Sequence, residues 1–287
     1  MQIDIVIASY NGSLFISEQL KSILSDPNFS HIKSIIISDD KSTDETKNIV
    51  AHIGCDKIKF VTNTGRTGPS NNFINALKYS DSDFVFFCDQ DDVWVASRIE
   101  KYLDLIPSLD EQLPGVIYSD LSVVDCDLNL ISESFYKHEK IALDWGHQFK
   151  NLLLQNCAPG CTMLINKVAR DKLLATFNTS SIMHDWWVFL YASLYHNAIH
   201  LNDITLKYRQ HDNNSVGASK SINLMNFIKK ANLAVKNLKL TIEQSSSFLK
   251  SLNIKVFNLL TTEDRFMLNF FNEYENSSFF KRLEFCF

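Results

Sequence analysis

The 287-residue sequence predicts an α/β protein: an open, doubly wound, mostly parallel central sheet flanked by helices, with a C-terminal helical appendage. Three observations carry this. Four short, nearly continuous apolar runs alternate with helical patterns through the first half, as buried parallel strands joined by crossover helices do. After Pro114 the rhythm loosens, in the manner of an α+β completion of the same sheet. Beyond Gly217 the pattern is helical alone.

The four runs are Ile3–Ala8, Ile35–Ser38, Ile58–Thr62 and Phe84–Cys88, each read as buried on both faces because apolar residues do not alternate with polar ones. Helices are predicted over Ser13–Ser25, Thr43–Ile53, Ser70–Tyr79 and Ala96–Ile106. Ser42-Thr43-Asp44-Glu45 supplies cap candidates and first-turn acids for the second of these. Val116–Ser119 and Thr162–Ile165 follow as strands, Lys167–Thr176 and Asp185–Tyr195 as helices, and Ile204–Tyr208 as a last short strand. A stripe of Leu224, Phe227, Ile228, Ala231, Val235, Leu238 and Ile242, with Lys229, Lys230 and Lys236 pointing away, predicts an amphipathic helix in the appendage.

With 45% hydrophobic and 21% charged residues, the chain can bury a real core and is neither disordered nor collagen-like. Its 28 Lys/Arg against 33 Asp/Glu, net −5, argue against a nucleic-acid binder that works by phosphate neutralisation. Charge is uneven: ten basic and six acidic residues lie from Ser215 onward, and nine of the 21 Phe fall between Phe248 and Phe287. Cysteines at 55, 88, 126, 157, 161 and 286 form no Cys-x-x-Cys pair. The N-terminus runs directly into Ile3-Asp4-Ile5-Val6-Ile7, so reduced thiols in a cytoplasm are expected. Cys157 and Cys161 lack a second ligand pair for zinc and are expected to be buried and structural. No uncharged apolar run approaches the roughly 18 residues that cross a bilayer.

In doubly wound sheets ligands bind beyond the carboxyl ends of the strands, so the residues after each run are the ones that can carry chemistry. They are Ser9-Tyr10-Asn11-Gly12, Asp39-Asp40-Lys41-Ser42, Asn63-Thr64-Gly65-Arg66 and Asp89-Gln90-Asp91-Asp92. The last is the sharpest signal. Three carboxylates within four residues repel one another unless a cation or a shifted pKa relieves them, and Mg²⁺ or Mn²⁺ shared with phosphate oxygens is the natural relief; an acidic turn capping the next helix is the alternative. Asp39 and Asp40 could accept hydrogen bonds from a base or ribose, or could be ordinary turn formers. Tyr10 could stack on a base or merely pack, and Arg66 could meet a phosphate or stay solvated. In His184-Asp185-Trp186-Trp187, Asp185 is either an N-cap or a general base near an acceptor hydroxyl. Tyr208-Arg209-Gln210-His211, followed by Asn213-Asn214-Ser215-Val216-Gly217, is a polar loop or a diphosphate site in which His211 adds a metal ligand. His196-x-x-x-His200 lacks the glutamate of a zinc-protease helix, and neither Gly-x-Gly-x-x-Gly nor a P-loop occurs.

These residues resemble the family 2 (GT-A fold) glycosyltransferases, in the bacterial rhamnosyltransferase-like branch that builds surface polysaccharides. The likeness runs in order through Ser9–Gly12, Glu18-Gln19-Leu20-x-Ser22-Ile23, Ser38–Asp44, Asn63-x-Gly65, Asn72-Phe73, Cys88–Trp94, His184–Trp187 and Tyr208–His211, over residues 1–217. It implies a Rossmann-like GT-A domain at 1–217; the cationic, Phe-rich helical region 218–287 could rest on a membrane surface, or its Phe could pack against the domain or a second subunit. It also implies inverting transfer of a sugar, rhamnose in the named branch, from a dTDP- or UDP-sugar to a saccharide or lipid-linked acceptor, with Mg²⁺ or Mn²⁺ as cofactor. By motif, Ser9, Tyr10, Asp39, Asp40, Arg66 and Asp89 fall to the nucleotide. Asp89, Asp91 and His211 fall to the metal, Asp185 to the base, and Asp92, Trp94, Trp186 and Arg209 to the diphosphate or acceptor. The family's usual Gly after the first acidic pair is Lys41 here, and its frequent Gln-x-x-Arg-Trp element is replaced by Tyr208–His211. A cytoplasmic enzyme, peripheral on the inner face of the inner membrane, is the expected setting. A nucleotidyltransferase of related sheet architecture and a non-catalytic sugar-nucleotide-binding protein are the competing classes.

Overall fold

The predicted apolar runs become strands β1 (Ile3–Ser9), β2 (Ile32–Asp39), β3 (Ile58–Thr62) and β4 (Phe84–Asp89). In the computed structural model, which describes residues 1–211 and 225–277, they pair in parallel in the order β3-β2-β1-β4. Helices α1 (Ile16–Leu24), α2 (Thr46–His52) and α3 (Pro69–Leu77) connect them. Successive side chains of a strand point to opposite faces, and both faces are filled. Ile5, Ile7, Ile35, Ile37 and Phe86 pack with α1, while Val6, Ile36, Val85 and Phe87 pack with Phe73 of α3. Outermost β3 departs from the expected two-sided burial: all five of its residues are exposed or half-buried, as an edge strand's can be.

The remaining strands complete the sheet with mixed direction. These are β5 (Val93–Trp94), β6 (Val116–Val124), β7 (Leu130–Ser132), β8 (Leu164–Asn166) and β9 (Ala198–Arg209). Beyond β4 the order runs β8-β6-β9-β5, with β7 beside β6. β8 is antiparallel to both β4 and β6, β9 is parallel to β6, and β5 is antiparallel to β9. The final strand is twelve residues long, because Ala198–Leu201 also pairs with β6 and the strand runs on through a bulge at Asn202 and Asp203, although this stretch mixes polar with apolar residues. Helices α4 (Arg98–Leu103), α5 (Phe135–Glu139), α6 (Phe149–Leu152), α7 (Lys167–Thr176) and α8 (His184–Leu194) intervene, and every residue of α8 is buried.

Three C-terminal helices, α9 (Met225–Ser251), α10 (Ile254–Phe257) and α11 (Thr262–Asn276), follow. Phe248 of α9 is fully buried, 4.7 Å from the Tyr191 ring and 5.4 Å from Trp187, so this helix joins the core around α8. Leu268 and Phe271 of α11 belong to the same core. Part of the expected Phe-rich tail therefore packs inward. Val235 and Leu238 of the predicted stripe are exposed beside Lys236 and Lys239. The expected boundary at Gly217, the loop Asn213–Gly217, Leu224, and Phe279 to Phe287 lie outside the described residues, as do the side chains of residues 225–234. Cys88, Cys157 and Cys161 are buried free thiols. Among the described residues no helix is long and apolar enough to cross a membrane.

Candidate active site

Parallel register brings the loop-bearing ends of the strands to one rim: Ser9 lies opposite Asp39, and Ala8 opposite Asp89. Above that rim opens a cleft of about 1210 Å³, walled by loops after β1, β2, β3 and β4, the segment before β8, the start of α8 and part of α9. Tyr10, Asp40, Asp89, Asp91, Asp185 and Trp186 all line it.

The wall formed by the loops after β1, β2 and β3 is a closed hydrogen-bond lattice. Asp39 accepts from Ser9 Oγ (2.9 Å), Ser42 Oγ (2.6 Å) and the Ser42 amide (2.8 Å). Asp40 accepts from Asn63 Nδ2 (3.0 Å) and the Gly68 amide (2.6 Å), tying the β2 and β3 loops together. Asp44 accepts from the Ser13 amide and from Thr46; burial works against its charge, but these donors outweigh it and hold the carboxyl at about 2. Tyr10 is 58% exposed, and its backbone is gripped by Gln90, whose Oε1 accepts the Tyr10 amide and whose Nε2 donates to the Tyr10 carbonyl, both at 3.0 Å. Gly12 makes room for that grip, since a Cβ there would sit 2.2 Å from Gln90 Oε1. Lys41 replaces the expected Gly yet keeps the left-handed turn, at φ +66°, and lines the cleft. Arg66 is exposed in the loop before Thr67 and Gly68, which do line it.

The opposite wall is acidic and poorly satisfied. Asp89 is pushed up to about 7, first by burial and then by the charges of Asp91 and Asp185. Asp92 is 1% exposed and raised well above the carboxylate range by burial and by Asp91 and Asp89; its Oδ1 accepts the Arg209 amide, and its Oδ2 has no partner. Asp89, Asp92 and Cys161 each offer a ligand atom within 4.8 Å of the others. Asp91 Oδ2 lies 2.8 Å from His211 Nε2. Two carboxylates with an orphaned oxygen, beside a carboxylate and an imidazole, form an oxygen-rich set that fits a hard divalent cation. Burial pushes the Cys161 thiol well up, which leaves it a weak ligand here.

Asp185 stands at the start of α8, 6% exposed. It accepts from the Trp186 amide (2.7 Å), Asn156 Nδ2 (3.3 Å) and the Gly160 amide, but burial dominates and lifts it to about 6. Trp186 is fixed by its indole N–H donating to the Leu152 carbonyl at 2.6 Å. His184 lies beneath, its ring stacked 4.2 Å from Phe73, with both nitrogens unpartnered; burial lowers it to about 3.

Of the four residues expected at the diphosphate or acceptor, only Trp186 lines the cleft; Asp92 is buried behind it, and Trp94 and Arg209 sit elsewhere. Trp94 is 5% exposed, packed on Phe86 and on the Arg98 guanidinium (4.5 Å), because β5 turns it into the core. Arg209 is 2% exposed: its guanidinium donates to Glu18, to the Asp91 carbonyl (2.9 Å) and to the Cys126 carbonyl, and lies over the Phe15 ring. It braces the acidic loop from behind. Gln90, Asn72, Asn156 and Gly160 were given no role by the sequence, since single amides and glycines carry no pattern until the fold brings them together.

Residues 4–171 match the model of glycosyl transferase family 2. Among curated relatives, the chain is 28% identical over 229 residues to the dTDP-rhamnosyl transferase RfbG of Shigella flexneri, covering 75% of each chain. It is 26% identical over 211 residues to an Escherichia coli UDP-Glc:alpha-D-GlcNAc-diphosphoundecaprenol beta-1,3-glucosyltransferase, WfgD, covering 72% of this chain and 76% of that one. Among solved structures, S. aureus TarS 1-349 in complex with UDP-GlcNAc superposes with a TM-score of 0.58 at 15% identity, covering 94% of this chain and 87% of that one. That likeness establishes the shared GT-A architecture. With more than half of its length inside the matched segment, the chain belongs to glycosyl transferase family 2 and is a glycosyltransferase.

Proposed function

We propose that the chain is an inverting glycosyltransferase that moves a sugar from a dTDP- or UDP-sugar to a hydroxyl of a saccharide or lipid-linked acceptor in bacterial surface-polysaccharide assembly. The observation that carries this is Asp185: a carboxylate raised to about 6, in the same cleft as the acidic loop, is poised to take a proton near neutral pH. The dTDP-rhamnosyl transferase RfbG and the UDP-Glc-dependent WfgD support the two nucleotide classes, and RfbG favours rhamnose.

In the proposed reaction Asp185 accepts the acceptor's hydroxyl proton as that oxygen attacks the anomeric carbon. The bond from that carbon to the diphosphate oxygen breaks on the opposite face, and the nucleoside diphosphate departs with the bond's electrons. Ser9, Tyr10, Asp39, Asp40 and Arg66 form the nucleotide side: Tyr10 offers a ring for stacking, while Asp39 and Asp40 shape the loops. Mg²⁺ or Mn²⁺, held by Asp89 and Asp91 with His211, would supply charge neutralisation for the leaving diphosphate. Asp92 and Trp186 border the diphosphate and acceptor, with Arg209 bracing the loop. The catalytic unit is taken as 1–217, and 218–287 as a helical region whose exposed Val235, Leu238, Lys236 and Lys239 suit contact with an anionic inner leaflet from the cytoplasm, or a second copy of the chain.

The test is incubation of the purified chain with dTDP-rhamnose and a panel of UDP-sugars, Mg²⁺ or Mn²⁺, and lipid-linked or free saccharide acceptors. Sugar transfer with nucleoside diphosphate release supports the reading; pyrophosphate release from sugar phosphate and nucleoside triphosphate overturns it. Flotation with anionic liposomes tests the membrane contact.

A further inference from the structure

His184 is 98% enclosed, yet neither ring nitrogen has a hydrogen-bond partner. Burying a polar group unpaired costs about 1–3 kcal/mol, and nothing in the fold requires an imidazole here, because a phenyl ring would fill the same stack. The ring is fixed from two sides, stacked on Phe73 at 4.2 Å and edge-on to Phe87 at 4.7 Å. It lines the cleft immediately before Asp185. Being neutral, it holds one N–H donor and one lone-pair acceptor.

Asn72 presents the same anomaly beside Phe73. Its Nδ2 donates to the Ser9 carbonyl (3.0 Å) and the Ser38 carbonyl (2.8 Å), which fixes the amide orientation and leaves the buried Oδ1 without a partner. Asn72 lines the same cleft. Gly160 faces this wall without a side chain: a Cβ there would come 3.3 Å from His184 Nε2 and 3.1 Å from Asp185 Cβ. An imidazole with both nitrogens unpaired and an amide oxygen without a donor, lining the same cleft beside Phe73, match the two-way hydrogen bonding of a hydroxyl group.

We propose that His184 and Asn72 form a sugar-hydroxyl subsite that reads the transferred sugar of the donor. This rests on the nucleotide-sugar reading of the cleft. The anomeric carbon must lie between the acidic loop, where the diphosphate departs, and Asp185, where the acceptor is deprotonated. His184, adjacent to Asp185 and stacked on Phe73, then lies alongside the sugar ring and away from the nucleotide, which the β1, β2 and β3 loops hold. A site built to bond a hydroxyl discriminates against sugars that place it elsewhere, because the wall is then left unpaired.

The test is calorimetric titration of the full chain with UDP, dTDP, UDP-glucose, UDP-N-acetylglucosamine and dTDP-rhamnose in Mg²⁺, comparing wild type with His184→Phe and His184→Gln. Wild type is expected to bind one nucleotide sugar more tightly than its own nucleotide. His184→Phe should weaken that sugar about tenfold, leave the free nucleotide within about twofold, and melt at or above the wild-type temperature. His184→Gln should recover part of the lost affinity. Equal weakening of sugar and nucleotide, unchanged sugar affinity, or a Phe variant that melts below wild type would each overturn the subsite. A wild type that binds none of the panel overturns the nucleotide-sugar reading itself, whereas tight nucleotide-sugar binding with an indifferent His184 overturns only this inference.

Discussion

The two walls of the cleft hold carboxylates of opposite character. Around β1, β2 and β3, Asp39, Asp40 and Asp44 are met by backbone amides and hydroxyls, and Asp44 is held at about 2. Around the β4 loop and α8, burial and mutual repulsion lift Asp89 to about 7 and Asp185 to about 6, and Asp92 keeps an orphaned oxygen. The first wall is complete without a ligand and stabilises the folded chain. The second is complete only when something else enters, and its acidic charges work against folding until then. Shape comes from one wall and reactivity from the other.

The largest expected break in that contrast is Asp185→Asn. Amide nitrogen cannot take the acceptor's proton, so turnover should fall on the order of 10³-fold while nucleotide-sugar affinity holds within about twofold. A variant that keeps wild-type turnover would remove Asp185 as the base. The same residue gives a pH signature. Wild-type kcat/KM should rise with pH through about 6 as Asp185 deprotonates. Stability should move the other way: the folded pKa lies above the unfolded value of 3.8, so the folded state binds the extra proton between them. Asp185's own contribution is therefore greatest below about 4, declines by at most about 3 kcal/mol as pH rises to about 6, and is level above. His184, lowered to about 3, works in the opposite direction between about 3 and 6.5, and Asp89 extends the decline to about 7, so the signature of Asp185 is the difference between wild type and Asp185→Asn. Across melting curves from pH 4 to 8, wild type should lose stability relative to Asp185→Asn as pH rises to about 6. At pH 7 the variant should melt no lower than wild type.

Much of the first wall was legible in sequence, because apolar runs of strand length fix where strands end and parallel pairing aligns those ends. Asp39, Asp40 and Asp89 could be placed on one rim that way, whereas Asp185, at a helix start, was pointed to only by its motif. What could not be read was which carboxylates are satisfied. Asp39 and Asp92 look alike in sequence, yet one is enclosed by Ser9 and Ser42 and the other faces Cys161 and an empty hydrogen-bonding direction. Arg209 and Trp94 were misplaced for a related reason: a polar or aromatic residue at a strand end turns to the cleft or to the core according to register across β5 and β9, which pair over a separation of more than 100 residues. β7 and α5 carry too few residues for a period to emerge.

Next in size is the support behind the reactive wall. Phe248→Ala removes the ring that packs on Trp187 and Tyr191 of α8, and should destabilise the chain by about 3–4 kcal/mol in denaturant unfolding. A chain ending near Gly217 should lose at least as much, since all of α9 and α11 would leave that core. If the shortened chain melts with the full-length one, the C-terminal helices are an independent appendage and the core assignment fails. Asp39→Ala strikes the first wall instead. Three donors lose their acceptor, Ser9 and Ser42 are freed, and about 2 kcal/mol of stability should go. Stability and nucleotide affinity should fall together here, whereas Asp185→Asn separates stability from turnover.

The smallest expected effect is the most diagnostic for the first wall. Lys41 holds φ +66°, a conformation that costs an L residue about 1–2 kcal/mol and a glycine almost nothing. Lys41→Gly relieves that strain but gives the unfolded chain more freedom to lose, so the net gain in stability should be no more than about 1 kcal/mol. The lattice around Asp39 and Asp40 already fixes the turn, and it should survive the change. Keeping a strained Lys where Gly would fit is then explained by its side chain, which lines the cleft as a cation. Titration with UDP should show weaker, less salt-dependent binding for Lys41→Gly than for wild type, alongside equal or higher stability. Unchanged UDP affinity at low and high salt would reduce Lys41 to a tolerated substitution in a turn that its neighbours enforce.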